Sequence, residues 1–428
     1  MNTYEKTHHL SKGYILLLLV CFLLISCSTN DRKNNTVLVG SSFGAINPDT
    51  GSFIAGDKQN RHFKGIHDSL YVKVVLVSDS KNSFAILTVD CIGIIYPTLL
   101  EIRKEVSEQI PASEFDPSHI VLSSTHTHSG PDVVGLWGAN QTSSGVNDAY
   151  MKKLVTIAAS KIAEAWKSRK PGYISWAETK LGEGWVYNIC IPEELDRSVT
   201  ILQFTDLKGN SIATLTNFAC HPTFMDAATD LVSSDYVGGF YKEMNNEIHG
   251  VNLFLQGAVG GWVQPEYEKK DFDNAFSRGK GLADSVISSL KISRSLDEVN
   301  IKFMSKVFGM PVSNQGFKQL SDFGVIRRTI TDSVKTEVAW FSLGSAQFVT
   351  HPGETSPSYS LDSKKLMRTS GPKFVLGLGM DGLGYIIKPD FFDPSKKIPH
   401  ADYLTGMSID KNAGIVMMNV IENLSSEK

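Results

Sequence analysis

The stretch Ile120-Val121-Leu122-Ser123-Ser124-Thr125-His126-Thr127-His128-Ser129-Gly130-Pro131 runs from three apolar residues into a small polar segment that carries two histidines and ends at a Gly-Pro break. A short apolar run bounded by turn residues reads as a buried strand. Side chains on an extended chain alternate with period two, which predicts His126 and His128 on one face about 6.6 to 7 Å apart. At that spacing both rings can share one metal ion. Equally, one ring can hold the metal while the other reaches a substrate. Two histidines beside serine and threonine can also be a hydrogen-bonded strand end with no chemistry of its own.

Two more histidines stand before proline at short strand-to-turn junctions, Ala219-Cys220-His221-Pro222-Thr223 and Val349-Thr350-His351-Pro352-Gly353-Glu354, and the second brings a carboxylate. Ligands delivered from separate strand ends are what a metal pocket requires. Around them strands and helices interleave. Strands are expected at Thr36 to Phe43, at Tyr71 to Val77 and Ser83 to Asp90 as a hairpin, and at Tyr173 to Thr179, Val199 to Phe204, Ser211 to Asn217 and Val251 to Leu255. Later ones are expected at Val299 to Phe308, at Thr336 to Leu343 paired with Ala346 to Val349, and at Phe374 to Leu378. Helical spacing marks Tyr96 to Gln109, Asp148 to Trp166 with Asp148 as cap, Gly238 to Glu247, Asp273 to Leu290, Ser356 to Met367 and Asp410 to Leu424. The pattern predicts an α/β fold, a single large layered domain with mixed β-sheets flanked by helices.

The whole chain has 428 residues, 42% apolar and 20% charged, ordinary globular material with enough length to bury a large core. A formal net charge of -3 supplies no basic field, which argues against nucleic acid as a partner. Of five cysteines, Cys21 and Cys27 fall in the N-terminal segment, and Cys91, Cys190 and Cys220 are an odd set without CxxC spacing. That argues against a disulfide framework and against a cysteine-zinc site, and predicts buried free thiols.

At the N-terminus Lys6 and Lys12 precede the apolar run Tyr14 to Ile25, short of the roughly 20 residues of a membrane span. The run ends Leu24-Ile25-Ser26-Cys27, which resembles the lipobox of bacterial lipoproteins, whose cysteine is lipidated and becomes the first mature residue. On this reading residues 1–26 are a lipoprotein signal peptide, Cys27 the lipidated residue, 27–35 a polar tether and 36–428 the folded domain. A plain signal peptide or an uncleaved anchor is the alternative.

Five short motifs occur in one order: Gly65-Ile66-His67, Thr125-His126-Thr127-His128-Ser129-Gly130-Pro131, His221-Pro222-Thr223 followed by Ser234-Asp235, Pro352-Gly353-Glu354, and Gly377-Leu378 followed by Tyr385-Ile386. Together they resemble the neutral ceramidase family, zinc-dependent amidohydrolases that cleave N-acyl sphingosine. The resemblance implies one Zn²⁺ held by His126, His221, Glu354 and Tyr385, with His128 in proton transfer or oxyanion stabilisation. Two imidazoles, a carboxylate and a phenol oxygen suit zinc and leave room for a water that it activates.

Three features depart from the family pattern. Gln256-Gly257-Ala258-Val259-Gly260-Gly261 places Gly260 where the resemblance implies a catalytic serine, so a serine restored at 260 is expected to raise ceramidase activity if the missing hydroxyl limits it, and to change nothing if the substrate or mechanism has diverged. Asp132 stands where a small residue is usual and is expected to alter substrate choice; His351 replaces an apolar residue and reads as an orienting group or a surface ring. The chain also ends soon after Leu424, and nothing in it reads as the family's immunoglobulin-like C-terminal domain.

The resulting expectation is a lipid-anchored hydrolase of the bacterial cell envelope, periplasmic or outer-membrane, cleaving an amide of a ceramide-like N-acyl lipid. A carbohydrate or acyl ester hydrolase on the same metal centre is one alternative. A non-catalytic ligand-binding protein is the other. A deep apolar slot points to lipid and an open polar cleft to glycan. Oligomeric state is not legible in the sequence.

Overall fold

Phe254 belongs to one apolar core while its neighbours Leu253 and Leu255 belong to another, the period-two signature of a strand covered on both faces. The structure, a computed structural model, describes residues 36–266, 268–296 and 298–427. The signal peptide, Cys27 and the tether lie outside the described residues. The larger sheet has nine strands, running in space Val251–Gln256, Ser211–Phe218, Ser198–Asp206, Lys170–Lys180, Val37–Ala45, Tyr71–Ser78, Ser83–Val89 and Ile120–Ser124, with Arg294–Ser295 beside Lys170–Lys180. Its outermost pairs are parallel and the inner ones antiparallel. Helices Tyr96–Gln109 and Asp148–Lys167 pack on one core, and Tyr236–Glu247 with Phe272–Leu290 on the other.

A second, mixed sheet orders Ile301–Pro311, Ser333–Leu343, Ala346–Thr350 and Lys373–Leu376. Phe341, Phe348 and Phe374 stack across three of its strands at centroid distances of 4.7 and 4.5 Å, and Phe84 of the first sheet meets Phe341 at 5.1 Å. Trp340, Val349 and Val375 share a third core cluster with Ile421 and Leu424 of the closing helix Ala413–Ser426. The expected α/β architecture with mixed sheets is therefore the one observed.

The two sheets are joined where their strands end. Asn217 Nδ2 donates to the Leu255 and Val375 carbonyls at 2.9 and 3.1 Å, and the Gly377 amide donates to the Gln256 carbonyl at 2.9 Å. Gln256, wholly buried, donates from Nε2 to the Thr125 and Cys220 carbonyls at 3.0 and 2.9 Å. One amide side chain thus ties together the carboxyl ends of three strands, the region where open α/β sheets bind ligands. A second joint is ionic: Arg103 on the first helix meets the buried Glu337 of the second sheet at 2.6 Å and donates to the Ser118 and Ile120 carbonyls.

Several boundaries differ from the sequence reading. Asp148 is the first helical residue; Asn147 is the cap, accepting from the Tyr150 amide, and Asp148 lies in the first turn, where a carboxylate meets the positive end of the helix dipole. Asp271 and Asp235 likewise cap helices that begin one and two residues earlier than expected. Helices Gln315–Asp322 and Ala401–Gly406 were not expected at all. Among the described residues no helix is long and apolar enough to cross a membrane.

Candidate metal centre

The strand Ile120–Ser124 stops before the histidines, and His126 adopts φ 73°, so the expected extended His-Thr-His does not form. A left-handed conformation at a non-glycine residue is strained, and such strain collects at functional sites. Here the reason is visible in the partners. The His126 amide donates to the Cys91 carbonyl at 2.9 Å, and its ring Nδ1 sits 2.5 Å from the Ile92 carbonyl. The turned backbone still leaves the two rings close, with centroids 5.0 Å apart.

His221 arrives from the end of Ser211–Phe218, its amide and Nδ1 both on the Val263 carbonyl at 3.0 and 2.9 Å. Glu354 and Tyr385 are register partners in a short parallel ladder, Glu354–Thr355 with Tyr385–Ile386. They come from the segments that follow Ala346–Thr350 and Lys373–Leu376. Glu354 Oε2 lies 3.3 Å from His126 Nε2 and 3.2 Å from His221 Nε2. The Tyr385 hydroxyl interacts with Glu354 and accepts from Trp262 Nε1 at 2.8 Å. All five expected side chains, His126, His128, His221, Glu354 and Tyr385, are thus gathered at one place.

These donors fit a metal ion on their own geometry. His126, His128 and His221 place ligand atoms within 4.8 Å of one another, a cluster capable of coordinating an ion. In each ring Nδ1 is taken by a carbonyl or carboxylate, which leaves Nε2 as the free donor and fixes the ring's orientation. His126 Nε2 and His128 Nε2 are buried without a hydrogen-bond partner. Bonds of about 2.0–2.1 Å in a tetrahedral site put neighbouring ligands roughly 3.3 Å apart, and the contacts of 3.3 and 3.2 Å from Glu354 to the two rings match that edge.

Charge follows the same geometry. Burial alone would raise the Glu354 pKa, but the His126 and His221 rings hold its carboxyl well below the usual carboxylate range. Burial opposes a charged His126, and the Glu354 carboxylate outweighs it, so that ring's pKa lies above the ordinary histidine value. At His221 burial prevails over the same carboxylate and the value falls. Burial, then the Glu354 charge, pushes the Tyr385 hydroxyl well up.

A pocket opens beside His126, His128, Glu354 and Tyr385, and its walls are mostly apolar, including Ile95, Leu136, Trp137, Phe317, Ile326 and Leu383. Asp57, Arg328 and Tyr403 also line it. The remaining expected residues stand apart from the five. Gly260 lies under the Glu354 strand: its amide donates to the Thr355 carbonyl at 2.8 Å, and a Cβ there would stand 2.5 Å from the Glu354 carbonyl oxygen. Asp132 is buried and spends its carboxylate on the Val134, Gly135 and Trp137 amides at 3.0, 2.6 and 2.8 Å. It braces the loop that supplies the Trp137 wall.

His351 is a fully buried ring between Thr355 Oγ1 at 2.9 Å and Ser363 Oγ at 3.0 Å, with a pKa driven down to about 3 by burial. It bolts the Glu354–Thr355 strand to the helix Pro357–Leu366. Of the quoted motifs, Gly-Ile-His does not reach the centre: His67 stacks on Phe272 at 3.6 Å and pairs with Asp68 at 2.9 Å. Ser234-Asp235 is structural too, Asp235 accepting from the Met225 and Tyr236 amides, with burial raising its pKa to about 7. The three cysteines are free and buried, with burial raising Cys91 to about 12 and Cys190 to about 11, so neither serves as a thiolate nucleophile. Asp226, on His128, and Trp262, on Tyr385, were missed by the sequence reading because neither lies next to a histidine or a carboxylate motif.

An α/β fold that collects histidine, carboxylate and phenol at the carboxyl ends of its strands defines the class, and the sequence places the chain within it. The family model described as neutral/alkaline non-lysosomal ceramidase, N-terminal, matches residues 54–277, just over half the chain, and the chain belongs to that family. Among relatives, neutral ceramidase B of Dictyostelium discoideum is 28% identical over 197 residues, covering 41% of this chain and 26% of the relative. Neutral ceramidase of Pseudomonas aeruginosa is 21% identical over 188 residues, 41% of this chain and 28% of the relative. The chain therefore spans about a quarter of the length of the curated relatives it matches. In fold it is similar to the crystal structure of the Pseudomonas aeruginosa neutral ceramidase, with a TM-score of 0.71 at 13% identity over 92% of this chain and 75% of that one. A ceramidase complexed with C2 superposes equally, with a TM-score of 0.71 at 14% identity over 91% and 75%.

Proposed function

We propose that this protein is a zinc-dependent hydrolase that cleaves the amide bond of a ceramide-like N-acyl lipid. The observation that carries the reading is the approach of His126 and His221 Nε2 to one oxygen of Glu354, with Tyr385 beside it, at the side of an apolar-walled pocket. His126, His221, Glu354 and Tyr385 would hold one Zn²⁺, which when bound lowers the pKa of a water to about 7 and polarises a carbonyl. Gly260 has no hydroxyl to offer, so the attacking group is water. His128 takes the proton that water loses on attacking the carbonyl carbon and returns it to the amine as the carbon–nitrogen bond breaks. The products are a fatty acid and a free amine.

The apolar walls accept a hydrocarbon chain, which favours a lipid over a polar glycan. Metal analysis of purified, zinc-supplemented protein is expected to find one ion per chain, and N-acyl sphingosine is expected to be hydrolysed in preference to acylated sugars. Metal-free protein that turns over nothing in the panel defeats the reading and leaves a ligand-binding protein. Cleavage of sugar esters alone redirects it to the envelope carbohydrates.

In the same reading the Leu24-Ile25-Ser26-Cys27 sequence anchors the protein to the cell envelope through lipid on Cys27. A single acyl chain binds a membrane only marginally, and stable anchoring takes two signals such as dual acylation. Cys27→Ala is expected to move the protein from the membrane to the soluble fraction and to abolish labelling by radioactive palmitate. Unchanged labelling would exclude the anchor.

A further inference from the structure

The His128 ring is held on two sides, and one of the holders is a carboxylate outside every motif that led to the site. Its Nδ1 lies 3.3 Å from Asp226 Oδ1. Gly56, at φ +88°, packs so closely that a Cβ would stand 2.7 Å from the ring, while Nε2 is buried without a partner. Asp226 itself adopts φ 38°, on the short turn Asp226–Ala228. Holding a non-glycine residue there strains the backbone and persists only where the surroundings over-determine it.

The surroundings do so here. Arg61 Nη2 donates to the Asp226 carbonyl at 3.2 Å and to the Thr229 carbonyl, closing the turn from outside. Asp235 holds the preceding Met225 amide at 2.9 Å and is itself fixed by the Ser233 hydroxyl at 2.9 Å. A strained backbone, an arginine clamp and a buried carboxylate brace all converge on the placement of one carboxylate tip. That tip touches the one ring of the cluster that borders the open pocket without meeting Glu354.

We propose that Asp226 is the positioning residue for His128. By accepting from Nδ1–H it fixes the ring in the tautomer whose Nε2 is bare, and it aims that nitrogen into the site. Without it only the close packing of Gly56 holds the ring, and nothing keeps the proton off Nε2, presenting a donor where an acceptor is required. This rests on the reading of His128 as the proton-transfer group.

Asp226→Gly tests it, because glycine suits the positive φ and removes only the carboxylate. The variant is expected to lose about 10- to 100-fold in kcat, the usual effect of removing an orienting partner, with KM and metal content unchanged. Asp226→Asn keeps the shape but can turn its NH2 toward Nδ1 and select the opposite tautomer, so it is expected to lose kcat at least as far as the glycine variant. In ¹⁵N-histidine-labelled protein, the His128 signal, assigned by its loss in His128→Gln, should report protonated Nδ1 in the parent and mixed tautomers in Asp226→Gly. Unchanged kcat in the glycine variant, an unchanged tautomer, or loss of metal together with kcat each overturns the proposal. The last would make His128 a metal ligand that Asp226 merely steadies. Failure of the hydrolase reading is separately visible, as parent protein without metal or turnover, and the tautomer measurement still decides the role of Asp226 in that case.

Discussion

His126→Ala is expected to yield protein that no longer retains its metal, whereas His128→Ala keeps the metal and loses turnover. The two rings are neighbours in sequence and 5.0 Å apart, so their difference rests on what each Nε2 faces. His126 is 3% exposed, and its Nε2 stands 3.3 Å from the Glu354 carboxylate. His128 is 18% exposed in its side chain, leans on Asp226, and lies further out along the pocket wall. Loss of the ion removes several kcal/mol of charge stabilisation, about a thousandfold or more at roughly 1.4 kcal/mol per decade. Loss of a proton-transfer group costs about 10²- to 10⁴-fold at constant metal content. Metal analysis beside kcat separates them. Equal metal loss in both variants would mean that the three imidazoles form the site together, as the mutual approach of their donor atoms within 4.8 Å permits.

Gly260→Ser is expected to lower activity at least tenfold, the reverse of what the missing hydroxyl suggests in the sequence. A Cβ at this position would stand 2.5 Å from the Glu354 carbonyl oxygen and 2.8 Å from that of Thr355. Both contacts are to backbone, which cannot swing aside as a long side chain can. The Glu354–Thr355 strand must move, and with it the carboxylate that meets His126 and His221. Overpacking of this kind costs about 1–3 kcal/mol of stability, and a displacement of about 1 Å at a reacting group costs on the order of a hundredfold in rate. Gly260→Ala is the control, with the same steric demand and no hydroxyl. Both variants should fall together in thermal stability, metal retention and hydrolysis. A serine variant more active than the parent, with alanine impaired, would show that the backbone yields and that the hydroxyl had been limiting.

The long amphipathic elements were legible because their signal is local. Tyr96–Gln109 was read to the residue from the spacing of Leu99, Ile102 and Val106, all of which are buried. The hairpin Tyr71–Ser78 with Ser83–Val89 followed from two apolar runs and a polar turn, and its register closes at Ser78 opposite Ser83. Helix Ala401–Gly406 was invisible because six residues carry too little periodicity, and its role, to bring Tyr403 to the pocket, is tertiary. Asp132 and His351 show the opposite limit. Asp132 reads in the sequence as a substrate-choosing carboxylate and His351 as an orienting group or a surface ring; the structure spends the first on backbone amides and buries the second between two hydroxyls.

From the sequence alone came the alternation of strands and helices, the α/β class, and the types of donor available for a metal: histidines before proline, a carboxylate and a tyrosine at strand ends. These are properties of residues within a few positions of one another, so propensity and period report them. Only the tertiary structure decided which donors meet. It turned His126 left-handed to reach the Ile92 carbonyl, laid Glu354 beside Tyr385 in a ladder, filled the space above Gly260 with backbone, and brought Asp226 to His128 from 98 residues away. Those approaches join segments far apart in the chain, within the strand ends of one sheet or, at Gly260, between the two sheets, which no local pattern encodes.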